Sequence, residues 1–293
     1  PVLDRNDRVI LLLGGFPPNA NWQEEVAGPV ASTMETAYAE IYSGSKRQRA
    51  QQAASESGDG PRRGPHAASS VGGSMGGGQM YPQNLHHTVV NLAIFAGLFG
   101  LDCFQRLAKW TNVLFMGFNP GVHKYYEQTL DRLFTWDTAQ QRPKHLIRNF
   151  LRGVSVFTTA TFNFGLSTVT LPHIDFGNLA WGWCAITMLG PFNPNLGGHL
   201  VLWDLRLIIC FPPGATIFIP SAILQHSNVK IRANEQRYSF TQFTPAGIFR
   251  WVYNGFRTNK DIENSTLTTD ELRERRRADR ARRWEEGVLM YRI

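Results

Sequence analysis

Three side chains in this sequence are spaced so that they could share one metal ion. His173 and Asp175 stand two apart in the run LPHIDFGN, and His226 follows the run PPGATIFIPSAILQ. In extended backbone, residues two apart leave the same face, so the first pair points one way. Two histidines and one carboxylate occupy one side of an Fe(II) ion and leave positions open for a chelating cosubstrate and for O2. The other reading of each histidine is a buried, hydrogen-bonded ring without a metal. A His-x-Asp pair alone does not separate the two.

A second pattern bears on the choice. Arg237-Tyr238-Ser239 stands on the next strand-like run, where Arg237 and Ser239 share a face. The guanidinium can grip a carboxylate through two charge-assisted hydrogen bonds and the hydroxyl can add a third. This is the anchor that 2-oxoglutarate requires. Asn163, on the strand before the His-x-Asp pair, is within reach of the same cosubstrate.

Taken in order, His-x-Asp, a distant His beyond a Pro-Gly turn, and Arg-x-Ser resemble the Fe(II)/2-oxoglutarate dioxygenases. The resemblance implies an α+β chain with a double-stranded β-helix (jelly-roll) core flanked by helices. It also implies Fe(II), 2-oxoglutarate as cosubstrate and O2, with ascorbate as a stimulant. Asn178 completes His173-Ile-Asp175-Phe-Gly-Asn178, and this His-x-Asp-x-x-Asn pattern is similar to the TET/JBP branch, in the compact type found in fungi. That likeness covers Val89 to Arg257.

It implies oxidation of the methyl of 5-methylcytosine, or demethylation of N6-methyladenine, in duplex DNA, with the base flipped out and Asn178 at its edge. A turn-capping role is the other reading of Asn178. Phe176 and Trp203, with Trp181 and Trp183, offer rings for stacking, though core packing accounts for most aromatic residues. The chain lacks the cysteine-rich zinc subdomain of the animal TET proteins. It also has Gln242 and Thr244 where those place a second base-contacting histidine. The same iron chemistry on RNA, protein or a small molecule is the enzymatic alternative, and a DNA-binding module without chemistry is the other.

The elements expected to position these residues follow from periodicity. Arg8 to Leu13 reads as a strand and Trp22 to Tyr42 as a helix, so residues 1–43 are expected to pack on the core. Residues 44–80, rich in Ser, Gly, Ala and Arg, read as a flexible basic insertion whose Lys46, Arg47 and Arg49 could touch phosphate. Residues 81–259 carry the dioxygenase domain, with helices predicted over Val89 to Trp110 and Tyr125 to Leu133. Strands are predicted in SVFTTATFNFGLSTVTL, HLVLWDLRLIICF, ATIFIP and RYSFTQFT. Residues 260–293 form a basic helix opened by a Thr268-x-x-Glu271 capping box.

The net charge of +7 suits a polyanionic partner without identifying one. Arg206 and Arg232 fall near the expected site mouth, and His86-His87 reads as loop rather than ligand. The three cysteines are scattered, which fits a reducing compartment, and a DNA substrate makes that the nucleus. No membrane span is expected, because the longest apolar run, Val89 to Leu101, is too short. The sequence begins at Pro1, which fits a trimmed chain.

Overall fold

The computed structural model describes residues 1–18, 21–42, 66–165, 167–263 and 269–291. Two antiparallel sheets face each other across an apolar layer. The larger has the strand order β1-β2-β9-β6-β11-β5-β3-β4. Its members are β1 (Val2–Leu3), β2 (Val9–Gly15), β3 (Ala68–Ser74), β4 (Gln83–Asn84), β5 (Thr159–Asn163), β6 (Cys184–Leu189), β9 (Thr216–Ile219) and β11 (Tyr238–Phe243). The smaller sheet runs β10-β7-β8, from β7 (Leu200–Leu202), β8 (Leu207–Ile209) and β10 (His226–Asn228).

Helices cover one face of the large sheet. A π-helical turn, Gln23–Ala27, leads into α1 (Gly28–Tyr42); α2 (Val89–Gly100), α3 (Asp102–Phe118) and α4 (Pro120–Thr138) follow. Near the chain's end come α5 (Ala246–Tyr253), α6 (Asn259–Glu263) and α7 (Thr269–Leu289). The whole is a mixed α+β fold with an antiparallel core flanked by helices.

The period of two in β5 and β11 explains the layering. Ala160, Phe162, Tyr238 and Phe240 pack into the helix-side core with Met34, Phe95, Phe104 and Leu107. Thr161, Asn163, Ser239 and Thr241, on the opposite face, line a cavity between the sheets. Burying an apolar face against helices and leaving polar groups toward a small cavity fixes the register, because a one-residue slip would exchange the two faces. Between the sheets lies a second apolar cluster with Met188, Leu200, Phe211, Ile217 and Ile219.

Three expectations are corrected. Residues 44–80 are not one insertion: within them Ala68–Ser74 is β3, paired with β5 over five residue pairs. Its small residues are required by closeness, since a Cβ on Gly72 would lie 2.1 Å from the Thr158 carbonyl oxygen, and its φ of +124° also suits only glycine. The Ser70 and Thr161 hydroxyls, 2.7 Å apart, supply cross-strand contact in place of apolar side chains. Lys46, Arg47, Arg49 and Thr268 lie outside the described residues.

The helix expected from Val89 to Trp110 is two helices, because Leu101 turns extended (φ −67°, ψ 139°) after Gly100 and Asp102 opens the next first turn. No single helix among the described residues is long and apolar enough to cross a membrane. The third difference is β6, an unpredicted strand at the centre of the large sheet, where burial on both faces removes the alternation that marks a half-buried strand.

Candidate active site

His173 stands on an irregular segment that extends the small sheet by one rung. Its N–H donates to the His226 carbonyl at 3.0 Å, and the His226 N–H donates back at 2.9 Å. The Asp175 N–H donates to the Ser221 carbonyl at 2.8 Å, so the segment continues alongside the chain leading into β10. Two ligands from distant parts of the sequence are therefore set by main-chain bonds that do not depend on their side chains.

The rings are oriented by the same device. His173 Nδ1 lies 2.7 Å from the Leu171 carbonyl, and His226 Nδ1 lies 2.8 Å from the Leu224 carbonyl. A carbonyl oxygen only accepts, so each Nδ1 carries a proton and each ring turns its Nε2 inward. The two Nε2 atoms each stand 4.0 Å from one oxygen of Asp175. All three ligand atoms lie within 4.8 Å of one another. Backbone carbonyls behind metal-binding imidazoles are the usual means of fixing their tautomer. The residues fit a divalent metal: three donors converge, each histidine already in the tautomer that ligation needs.

Arg237 decides what else the cavity is built for. It is 3% exposed, and no acidic partner forms an ion pair with it among the described residues. One guanidinium nitrogen donates to the Thr168 carbonyl, while Nε is buried without a hydrogen-bond partner. Burial pulls its pKa down to about 9. A buried cation without a counter-ion is costly, and the cost is relieved by a bound anion. Arg237 lines the cavity shared with the three metal-ligand candidates. The site is of the Fe(II)/2-oxoglutarate oxygenase type.

Beside Arg237, the Asn163 amide donates to Ser239 Oγ at 3.0 Å, joining the two across the β5–β11 pair. Asn178 also lines the cavity; its Nδ2 donates to Ser221 Oγ at 3.0 Å, which turns Oδ1 into an available acceptor.

The aromatic candidates fare differently. Phe176 (66% exposed) and Trp203 (49%) are not among the residues lining the cavity. Trp203 donates from Nε1 to Ser227 Oγ on β10, so its ring lies beside the metal-ligand strand. Trp183 is core, stacked on Phe115 and bonded to the Ile10 carbonyl, and Trp181 packs against Gly287 of α7. Neither is available for stacking on a substrate, because each is held by neighbouring elements.

Gln242 is likewise in the core, on the helix face of β11, where it bonds Thr111 and Ser155. Thr244 is buried and accepts from the Thr158 N–H. Arg206 is an exposed residue of the β7–β8 turn with φ +54°, and Arg232 is exposed in a turn closed by Glu235. His87 bonds the Ser70 carbonyl and packs edge-on to Phe95, a structural role.

Sequence reasoning missed two contributors. Asn228 shares the face of His226 on β10 and accepts from both the N–H and the hydroxyl of Thr170; a period of two from His226 marks it. His66 is buried with Nε2 3.3 Å from Asn163 Oδ1, and its surroundings in sequence carry no signal.

No protein-family model and no curated protein matches the chain. Among solved structures it is similar to NgTET1 in complex with 5mC DNA, at 15% identity over 83% of this chain and 75% of that one, with a TM-score of 0.41. It is also similar to an oxidoreductase of the 2OG-Fe(II) oxygenase family from Burkholderia pseudomallei: 17% identity, 61% of this chain, 66% of that one, TM-score 0.32. A third is the viral collagen prolyl hydroxylase vCPH from Paramecium bursaria Chlorella virus-1 in its 2OG complex, at 14% identity, 29% and 57% coverage and a TM-score of 0.24. Residue roles in this chain follow from its own geometry.

Proposed function

We propose that this chain is an Fe(II)/2-oxoglutarate-dependent dioxygenase of the double-stranded β-helix type. Its substrate in this reading is the methyl group of 5-methylcytosine or N6-methyladenine in DNA, reached by base flipping. The observation that carries the oxygenase reading is Arg237, buried with no acid partner among the described residues, in the cavity shared by His173, Asp175 and His226.

His173 and His226 would present Nε2, and Asp175 a carboxylate oxygen, to Fe(II), which with bound 2-oxoglutarate and O2 supplies the oxidising power. Arg237 would hold the far carboxylate of the cosubstrate, neutralising both charges away from water. Ser239 would add a hydroxyl, held in place by Asn163. The cavity measures about 70 Å³, room for a few waters or one small polar molecule. This suits the cosubstrate and leaves the larger base to enter from the Asn178 side.

Support for a base comes from Asn178. With Nδ2 engaged by Ser221, its Oδ1 can accept from the exocyclic amino group that cytosine and adenine both carry and thymine lacks. A DNA substrate brings with it a nuclear location, which imaging of the tagged chain tests.

The deciding experiment is aerobic incubation with Fe(II), 2-oxoglutarate and ascorbate on duplexes carrying either modified base. Nucleoside mass spectrometry and succinate measurement follow, with His173→Ala alongside. Oxidised or demethylated nucleoside made only by the unaltered chain is the expected result. Succinate without any altered base would uphold the oxygenase and overturn the substrate; neither product, with metal bound, would overturn both.

A further inference from the structure

We infer that the groove between α7 and the end of α5 is a binding surface for the phosphodiester backbone of DNA, an inference that rests on the proposed function for the identity of the polymer. The groove encloses about 870 Å³ and is lined by Arg257, Arg275, Arg276, Arg280, Arg282 and Arg283, against a single acid, Asp279. Asp279 is already engaged, 3.0 Å from Arg282 and 3.0 Å from Arg283. Arg257, Arg275 and Arg280 form no ion pair among the described residues. The like charges act on one another: Arg250 on α5 is held below the usual arginine value, first by burial and then by Arg283 and Arg280.

The groove is braced rather than loosely charged. Tyr253 at the end of α5 donates to Asp279 at 3.2 Å and accepts from Arg282, and the Arg283 guanidinium sits 5.4 Å from its ring centre. Guanidinium forks match phosphate oxygens in pairs, and a concave row of them suits a chain of phosphates. A membrane surface suits it less. The exposed face of α7 is overwhelmingly charged, with Trp284 and Leu289 its only large exposed apolar side chains, whereas an interfacial helix needs a continuous apolar face.

Placement ties the groove to the site. Helix α5 begins where the Ala246 N–H donates to the Gly177 carbonyl and Pro245 bridges Asn178, and it ends at Tyr253 in the groove. Eight helical residues span about 12 Å, well inside one duplex turn of roughly 34 Å. One duplex can therefore lie on the arginines and present a base near Asn178.

The test is fluorescence anisotropy of a short labelled, unmodified DNA duplex across a salt series. The full chain is compared with a variant carrying Arg257→Ala, Arg275→Ala and Arg280→Ala, and with a second carrying lysine at the same positions. Melting temperatures equal to the unaltered chain certify the fold. The alanine variant is expected to bind about tenfold or more weakly near ~0.1 M salt, with a log–log salt slope shallower by roughly 2–3, and the lysine variant to keep most of that slope. Equal affinity and slope in the alanine variant would overturn the inference. So would arginine-dependent binding to phosphatidylserine vesicles with none to the duplex. Groove-dependent duplex binding without any oxidised nucleoside would keep the groove and remove the proposed substrate; oxidised nucleoside with groove-independent binding would do the reverse.

Discussion

His173 and His226 exchange both of their main-chain hydrogen bonds, and their ring centres lie 4.3 Å apart. The spacing of the two candidate ligands is thus a property of a β-rung. Only Asp175 reaches the site from outside that rung, two residues along the same segment.

Alanine at His173, Asp175 or His226 is expected to lower divalent metal affinity on the order of 100-fold or more, since loss of a supporting residue alone costs 10–100-fold in metal sites. The main-chain rung survives, so melting temperature without metal should change little. Calorimetric titration with Mn(II) or Co(II) checks this, and unchanged affinity in any of the three would remove that residue from the ligand set.

Arg237→Met is expected to stabilise the ligand-free protein while abolishing the stabilisation that 2-oxoglutarate gives the unaltered chain. The sign with pH follows from the depressed pKa. An unfolded arginine keeps its proton to a far more alkaline pH, whereas the folded one begins to lose it near about 9. Within that window the unfolded state holds more protons, so the unaltered chain gains stability as pH rises, and the penalty is fully present below it. The melting-temperature gap between variant and unaltered chain should therefore narrow between pH ~8 and ~10. A constant gap would show that Arg237 keeps its proton throughout this range despite its burial.

Gln242→Ala should destabilise the fold by about 1–3 kcal/mol, because the buried Ser155 O–H loses its acceptor while the Thr111 hydroxyl keeps the Ala108 carbonyl, and leave 2-oxoglutarate affinity unchanged. Denaturant unfolding measures the first and thermal shift with cosubstrate the second. A loss of cosubstrate affinity would place Gln242 at the site after all.

Asn178→Ala is expected to cut base oxidation by up to roughly tenfold, the value of about 0.5–1.5 kcal/mol for a single hydrogen bond. Succinate formation in the absence of DNA should persist. Equal loss of both would make Asn178 a support for the metal site rather than a substrate contact.

The site was more legible in the sequence than the scaffold. His173, Asp175, Arg237, Ser239 and Asn163 follow the period of two, and that period needs only local backbone to be read. Strand β3 was illegible because its register depends on neighbours far away: Tyr42 Oη lies 2.8 Å from the Ser69 hydroxyl, and Gly72 closes on the Thr158 carbonyl. His66 went unseen for the same reason, as its contact with Asn163 exists only once β3 has joined β5. That Gln242 belongs to the core was illegible, because a buried amide and an exposed one look alike until the hydroxyls that satisfy it are known.

Met188, Leu200 and Phe211 belong to the apolar cluster between the sheets and also form part of the cavity lining. The volume of the cavity and the cohesion of the two sheets are therefore written into the same three side chains. Trimming one of them to admit a bulkier molecule would also loosen the join between the sheets, so the cavity cannot be widened there without a cost in stability.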